Sequence, residues 1–151
     1  MLKWTGRVRI TVRDLAGRIL SQEERHNLIT TVGLNMVRDT LAGDVADAEI
    51  KWMGVGNDNT PPALADVTLG GELIRKALTS STKPANGQYR SVFYVAPDDA
   101  VGLIEELGWF AGVAATAAAN SGIMVARILY NRVKTNLESI QVERLDALEE
   151  V

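Results

Sequence analysis

From residue 7 to residue 13 apolar and polar positions alternate: Val8, Ile10 and Val12 share one side, and Arg7, Arg9, Thr11 and Arg13 the other. A two-residue period built on β-branched side chains predicts a half-buried strand. Asp14-Leu15-Ala16-Gly17 supplies turn chemistry, with Gly17 free to take a positive φ. Residues 18–21 then predict the return strand of a hairpin, and the polar stretch 22–27 belongs at an exposed edge. The period changes at residues 31–42, where Leu34, Val37 and Leu41 recur at helical spacing. Thr30 or Thr31 is the expected N-cap, and Gly43 stands where a left-handed glycine ends a helix. That helix is expected to plug one face or one end of a sheet.

Further strands are predicted over residues 49–56, 72–82, 89–95, 103–110, 123–130 and 137–142. Between them lie the loop 57–62, the turn 83–87 and the break 97–99, all rich in Gly, Pro, Asn and Asp. The alanine-rich stretch 113–120 suits a helical turn by propensity, but its place between two strand candidates and before Ser121-Gly122 predicts a hairpin loop. Eight or nine short strands with turn signals between them predict a mainly β fold: an antiparallel sandwich or barrel with one α-helix. Residues 1–6 read as an N-terminal arm, 7–145 as a single β-rich domain, and 146–151 as a short acidic tail with some helical character.

Composition narrows the function. A chain of 151 residues is one domain with enough material for a core. The net charge of −3 argues against nucleic-acid binding as the main role. There is no cysteine, which excludes disulfides, thiolate catalysis and cysteine-based zinc sites. No apolar stretch is long enough for a membrane span, and no secretory signal is visible.

Candidate chemistry fails on spacing. His26, the single histidine, sits in a polar run with no serine in a nucleophile-elbow context. Gly54-Val55-Gly56 lacks the third glycine of a dinucleotide fingerprint, and Asn57-Asp58-Asn59 lacks the distal glutamate of a calcium loop. Asp98-Asp99 and Glu105-Glu106 are adjacent pairs, so on strands each pair splits between two faces. A buried member of the second pair needs a partner, and Arg127, embedded in an apolar strand, is the natural one. Trp52, Trp109, Phe110, Phe93 and Tyr94 are expected in the core. No catalytic, cofactor or metal site is expected, and the chain does not read as an enzyme.

What remains is binding to other chains. Trp4 is a candidate anchor on a neighbouring subunit, since tryptophan is favoured at binding hot spots. Arg7, Arg9 and Arg13 are candidate partner contacts on the exposed side of the first strand. The first 25 residues are mainly basic and the last 15 mainly acidic. Complementary ends suit docking between copies, or pairing of the first and last strands within one domain.

The run from Asn27 to Gly43 resembles a pattern in small virion proteins of tailed bacteriophages. So does the order Gly54-Val55-Gly56, Pro61-Pro62, Asp66, Leu69, Glu72 and Arg75-Lys76, followed by Glu106-Leu107-Gly108-Trp109-Phe110 and Val125-Ala126-Arg127. The resemblance covers residues 7–145. It implies an antiparallel β fold made in the host bacterial cytoplasm and assembled, as a trimer, on a phage particle. The partners it implies are further copies of the chain and either the major capsid protein, for a decoration protein on the capsid surface, or a tail protein, for a tail-fibre or baseplate adaptor. Neither nucleic acid nor membrane is an expected partner.

Overall fold

The computed structural model describes residues 1–151. In chain order the elements are β1 (Leu2–Asp14), β2 (Ile19–His26), β3 (Leu28–Ile29), α1 (Thr31–Leu41), β4 (Ile50–Gly56), β5 (Glu72–Ala77), β6 (Ser80–Thr82), β7 (Gln88–Val95), β8 (Gly102–Ala111), β9 (Ile123–Lys134) and β10 (Glu138–Glu150). They form two five-stranded antiparallel sheets, ordered β2-β1-β10-β7-β6 and β3-β9-β8-β4-β5. The result is a sandwich, not a closed barrel, with the main core between the sheets around Val8, Ile10, Phe93, Trp109, Ile128 and Val142.

The two sheets differ in what covers them, and this explains two kinds of sequence pattern. The first sheet has a wet outer face, so β1 alternates over residues 7–10, with Val8 and Ile10 buried and Arg7 and Arg9 exposed, while farther along Thr11 on the outer side is buried where Gln22 donates to its hydroxyl. Tyr94, expected in the core, lies on this outer face and is exposed. The second sheet is covered on both faces, which produces the near-continuous apolar runs of β8 and β9. Its outer cover consists of residues 57–71 and 112–122. Gly54 and Gly108 stand opposite each other on β4 and β8, and Leu69 from the first loop drops onto both. A Cβ on Gly108 would lie 2.7 Å from Leu69, so the missing side chains are what admit it.

Each covering loop is pinned by a buried ion pair. Glu106 accepts from the backbone N–H groups of Gly71 (2.8 Å), Gly70 (3.2 Å) and Asp58 (3.3 Å), and from Arg127 Nε (2.7 Å). Arg127 in turn donates to the carbonyls of Thr60 and Asp58. The pairing of a glutamate from the 105–106 doublet with Arg127 is thus present, on the loop-covered face. A second pair, Glu72 with Arg75 at 2.8 Å, lies beside Phe110 and holds the other loop through Ser121, Thr116 and Asn120.

Several expectations need correction. Residues 1–6 are not an arm and 146–151 are neither a tail nor helical. Leu2 pairs with Glu150 and Gly6 with Asp146, so both segments extend the β1–β10 ribbon. The basic first and acidic last segments therefore lie side by side, with Lys3 opposite Glu149 and Arg9 opposite Glu143. The stretch 72–82 is two strands, because the chain changes sheet at Leu78 and Thr79. Helix α1 has the expected N-cap, Thr30, whose hydroxyl accepts from Gly33 N. Its buried face, however, is Gly33 and Met36, while Leu34 and Leu41 are exposed. Gly33 decides this: a Cβ there would lie 2.9 Å from the Val125 backbone, so the helix rests on β9 through its smallest residue.

At one end of the sandwich, the tip, two carboxylates organise the turns. The backbone N–H and guanidinium of Arg18 hold the Asp14 carboxyl below its ordinary range. Burial pushes Glu138 up, but the Thr135 N–H and the Arg132 guanidinium outweigh it and leave the carboxyl below its usual value. A carboxyl depressed in the folded state contributes stability above its unfolded pKa of about 4, and that stability is lost as pH falls through the folded value. Amides of the two turns, 15–18 and 135–137, are expected to lose protection in hydrogen exchange below about pH 4, before the central strands do.

Candidate binding cleft

The β1–β10 ribbon is the longest in the molecule, with 13 residues in each strand. At the end opposite the tip it overhangs the second sheet. Side chains on the inward phase of the ribbon are buried as far as Ile140, Val142 and Arg144. Past that point the same phase emerges from the core and presents Leu2, Trp4 and Leu148.

Beneath the overhang is a cleft of about 850 Å³. Met36 and Val37 of α1 and residues 48–50 form one wall. Trp4, Asp146, Leu148, the β6–β7 loop and Tyr89 at the start of β7 form the other. Met36 and Ile50 are buried at its floor, while Glu49 and Lys83 are exposed at its rim. The volume falls within the range of about 300–1,000 Å³ typical of ligand pockets, and the lining is apolar with a few polar groups.

The wall is fixed by a buried polar network. Arg144, fully buried, makes a two-pronged pair with Asp146: Nε to Oδ2 at 2.8 Å and Nη2 to Oδ1 at 2.6 Å. Its guanidinium also lies over the Trp109 ring, 5.1 Å from the centroid. Trp4 Nε1 donates to Asp146 Oδ1 at 2.8 Å. The carboxylate thus neutralises Arg144 on its inner side and sets the Trp4 indole on its outer side. The rest of that indole lines the cleft, whose rim also carries the exposed Glu49 and Lys83.

No family model, no curated protein and no solved structure matches this chain.

Trp4 and the three arginines do not form one site. Trp4 points to the inner side of β1, and Arg7, Arg9 and Arg13 to the outer side. Arg7 and Arg9 share a shallow depression of about 140 Å³ with Arg90, Glu24 and Glu143. Arg9 pairs there with Glu24 at 3.0 Å, and Arg13 donates to Gln141 at 3.3 Å. His26 is exposed on β2 opposite Arg7. Asp99 pairs with Lys76 at 2.6 Å, away from the cleft. Sequence reasoning missed Arg144 and Asp146, although both continue the inward phase of Ile140 and Val142. It also missed the cleft, whose walls come from segments far apart in the chain.

Proposed function

We propose that this chain is a structural subunit of a tailed-bacteriophage particle, a decoration protein that binds the capsid shell and takes a segment of another protein chain into the cleft beneath its overhang. The observation that carries the binding role is the overhang itself: Trp4 and Leu148 emerge in phase from the core onto an open apolar cleft. A preformed cleft needs little reordering on binding, so the area it buries converts more fully into affinity. The virion setting rests on the sequence resemblance, which implies an antiparallel β fold. Contacts that are weak singly stabilise a shell by repetition.

The test is stoichiometry. In a quantitative gel of purified particles from the phage that encodes it, the chain is expected in hundreds of copies. A few to a few tens of copies would move it to the tail, as an adaptor, and absence from the particle would overturn the virion role. Leu148→Glu, at an exposed position of the cleft wall, is expected to reduce incorporation at least tenfold while leaving the melting temperature unchanged. Unchanged incorporation would remove the cleft from the proposal.

A further inference from the structure

The β6–β7 loop reverses the chain at Ala85-Asn86-Gly87-Gln88, where the Gln88 N–H donates to the Ala85 carbonyl at 3.1 Å. Gly87 takes φ +70 at the third position of this turn, a conformation glycine adopts without strain. Asn86 and Gly87 are exposed, and both line the cleft. Asn86 is also the one asparagine of the chain that a glycine follows. The carboxamide carbon of an asparagine can be reached by the amide nitrogen of the next residue, and a glycine there puts no Cβ in the way.

The eight asparagines differ in whether that nitrogen is free. After Asn57 and Asn59 it is engaged: the Asp58 N–H donates to Glu106 at 3.3 Å and the Thr60 N–H to Asp58 Oδ1 at 2.7 Å. After Asn120 and Asn136 it is engaged as well, Ser121 N–H with the Ala118 carbonyl and Leu137 N–H with Thr135 Oγ1, each at 3.2 Å. After Asn27, Asn35 and Asn131 it lies within β3, α1 and β9. The Gly87 N–H has no acceptor in the chain. The turn is tied to the overhang through the other side of Gly87, whose carbonyl accepts from the Leu148 N–H at 2.8 Å.

We propose that Asn86 is a site of spontaneous deamidation, driven by attack of the Gly87 nitrogen, so that the wall of the cleft slowly gains a carboxylate. The Gly87 nitrogen gives its proton to solvent and bonds to Asn86 Cγ; the Cγ–Nδ2 bond breaks and ammonia leaves. The five-membered succinimide then takes up one water. Opening at Cγ gives aspartate on the original main chain. Opening at the Asn86 main-chain carbonyl gives isoaspartate, whose main chain runs through Cβ and Cγ and is one atom longer. The net change is amide plus water to carboxylate plus ammonia, with no oxidant or reductant. Both products are ionised at neutral pH. The longer chain has little slack to occupy: a Cβ on Gly87 would lie 2.5 Å from the Leu148 carbonyl oxygen. The isoaspartyl form therefore displaces the Gly87 carbonyl from Leu148. None of this depends on what the cleft binds.

The experiment incubates the full chain for days at neutral and at mildly alkaline pH, beside a urea-unfolded sample, and maps every asparagine peptide by mass. In the folded chain the peptide with Asn86 is expected to convert first, to a mixture of aspartate and isoaspartate, and faster at the higher pH. Asn86 intact in the folded chain while the unfolded one converts would overturn the proposal. Equal conversion at Asn57, Asn59, Asn120 and Asn136 would overturn the role of the free nitrogen, and aspartate as the only product would overturn the cyclic route. Asn86→Gln, at an exposed position, is expected to lose the signal with melting unchanged; a signal that persists there places the reaction elsewhere and refutes the assignment. The Leu148 amide is expected to lose hydrogen-exchange protection in the isoaspartyl form, and unchanged protection would refute the link to the cleft wall.

Discussion

Replacing Asp146 with alanine is expected to cost about 3–5 kcal/mol of folding stability, the range for removing one partner of a buried ion pair. The substitution leaves the Arg144 guanidinium fully buried with no carboxylate, and it frees the Trp4 indole N–H at the same time. The cost is high because desolvation of the cation has already occurred and only its compensation is withdrawn. Urea denaturation would show it as a lower midpoint at unchanged slope. The double variant Arg144→Met with Asp146→Leu removes both charges and is expected to recover most of the loss, since hydrophobic replacement of a whole buried pair is often neutral or better. A double variant as unstable as Asp146→Ala would show that packing, and not the unpaired charge, sets the cost.

The same network ties stability to the cleft. Trp4 reaches Asp146 from the overhanging part of β1, so one carboxylate serves the core on one side and the cleft wall on the other. A site fixed by packed strands and a buried pair holds its shape before any partner arrives, which limits the ordering cost of binding. Leu148, the exposed part of the wall, adds apolar surface at the cleft. This division of labour is why Leu148 is the right position for testing binding and Asp146 for testing stability.

The sheet with a wet face was the more legible half of the fold. In β1 the burial of Val8, Ile10 and Val12 against exposed arginines repeats the sequence alternation directly. In β8 and β9 the strands were legible but their faces were not, because loops cover the side that would ordinarily be polar. Two β-bulges in that pair, at Ile104/Glu106 and Trp109/Phe110, further break the two-residue period. The ends of the ribbon were misread because Lys3, Arg144, Asp146 and Glu149 interrupt the apolar signal, although Trp4 and Gly6 stay in phase with Val8. The α1 face was misread because a glycine carries no hydrophobic signal even where it makes the closest contact. For the site, Trp4 was visible as an unusual residue. Its neighbours were not, since residues 36–37, 48–50, 81–89 and 146–148 meet only once both sheets are built.

Glu106 is the second position where a large loss is expected. Glu106→Leu removes the acceptor for three backbone N–H groups of the 57–71 loop and takes from nearly buried Arg127 its shortest ion pair. A loss of about 2–4 kcal/mol follows from the unsatisfied amides and the lost Glu106 bond, while Arg127 keeps its ion pair with Asp66 at 3.5 Å and its carbonyl acceptors. Arg127→Met is expected to cost less, about 1.5–3 kcal/mol, because Glu106 keeps its backbone donors and the Thr60 and Asp58 carbonyls and Asp66 that also lose Arg127 lie in the loop. If the two side chains act as a pair, the double variant costs less than the sum, with a coupling of about 0.5–3 kcal/mol. Additive losses would refute the pairing as an energetic unit. Hydrogen exchange separates this site from the core: Gly70 and Gly71 amides should lose protection in Glu106→Leu well before those of β1 and β10, since the Glu106 carboxylate is the acceptor for both. Simultaneous loss across the molecule would mean instead that the loop and the sandwich unfold as one unit. The outer face of the second sheet would then be as integral to the core as the inner one.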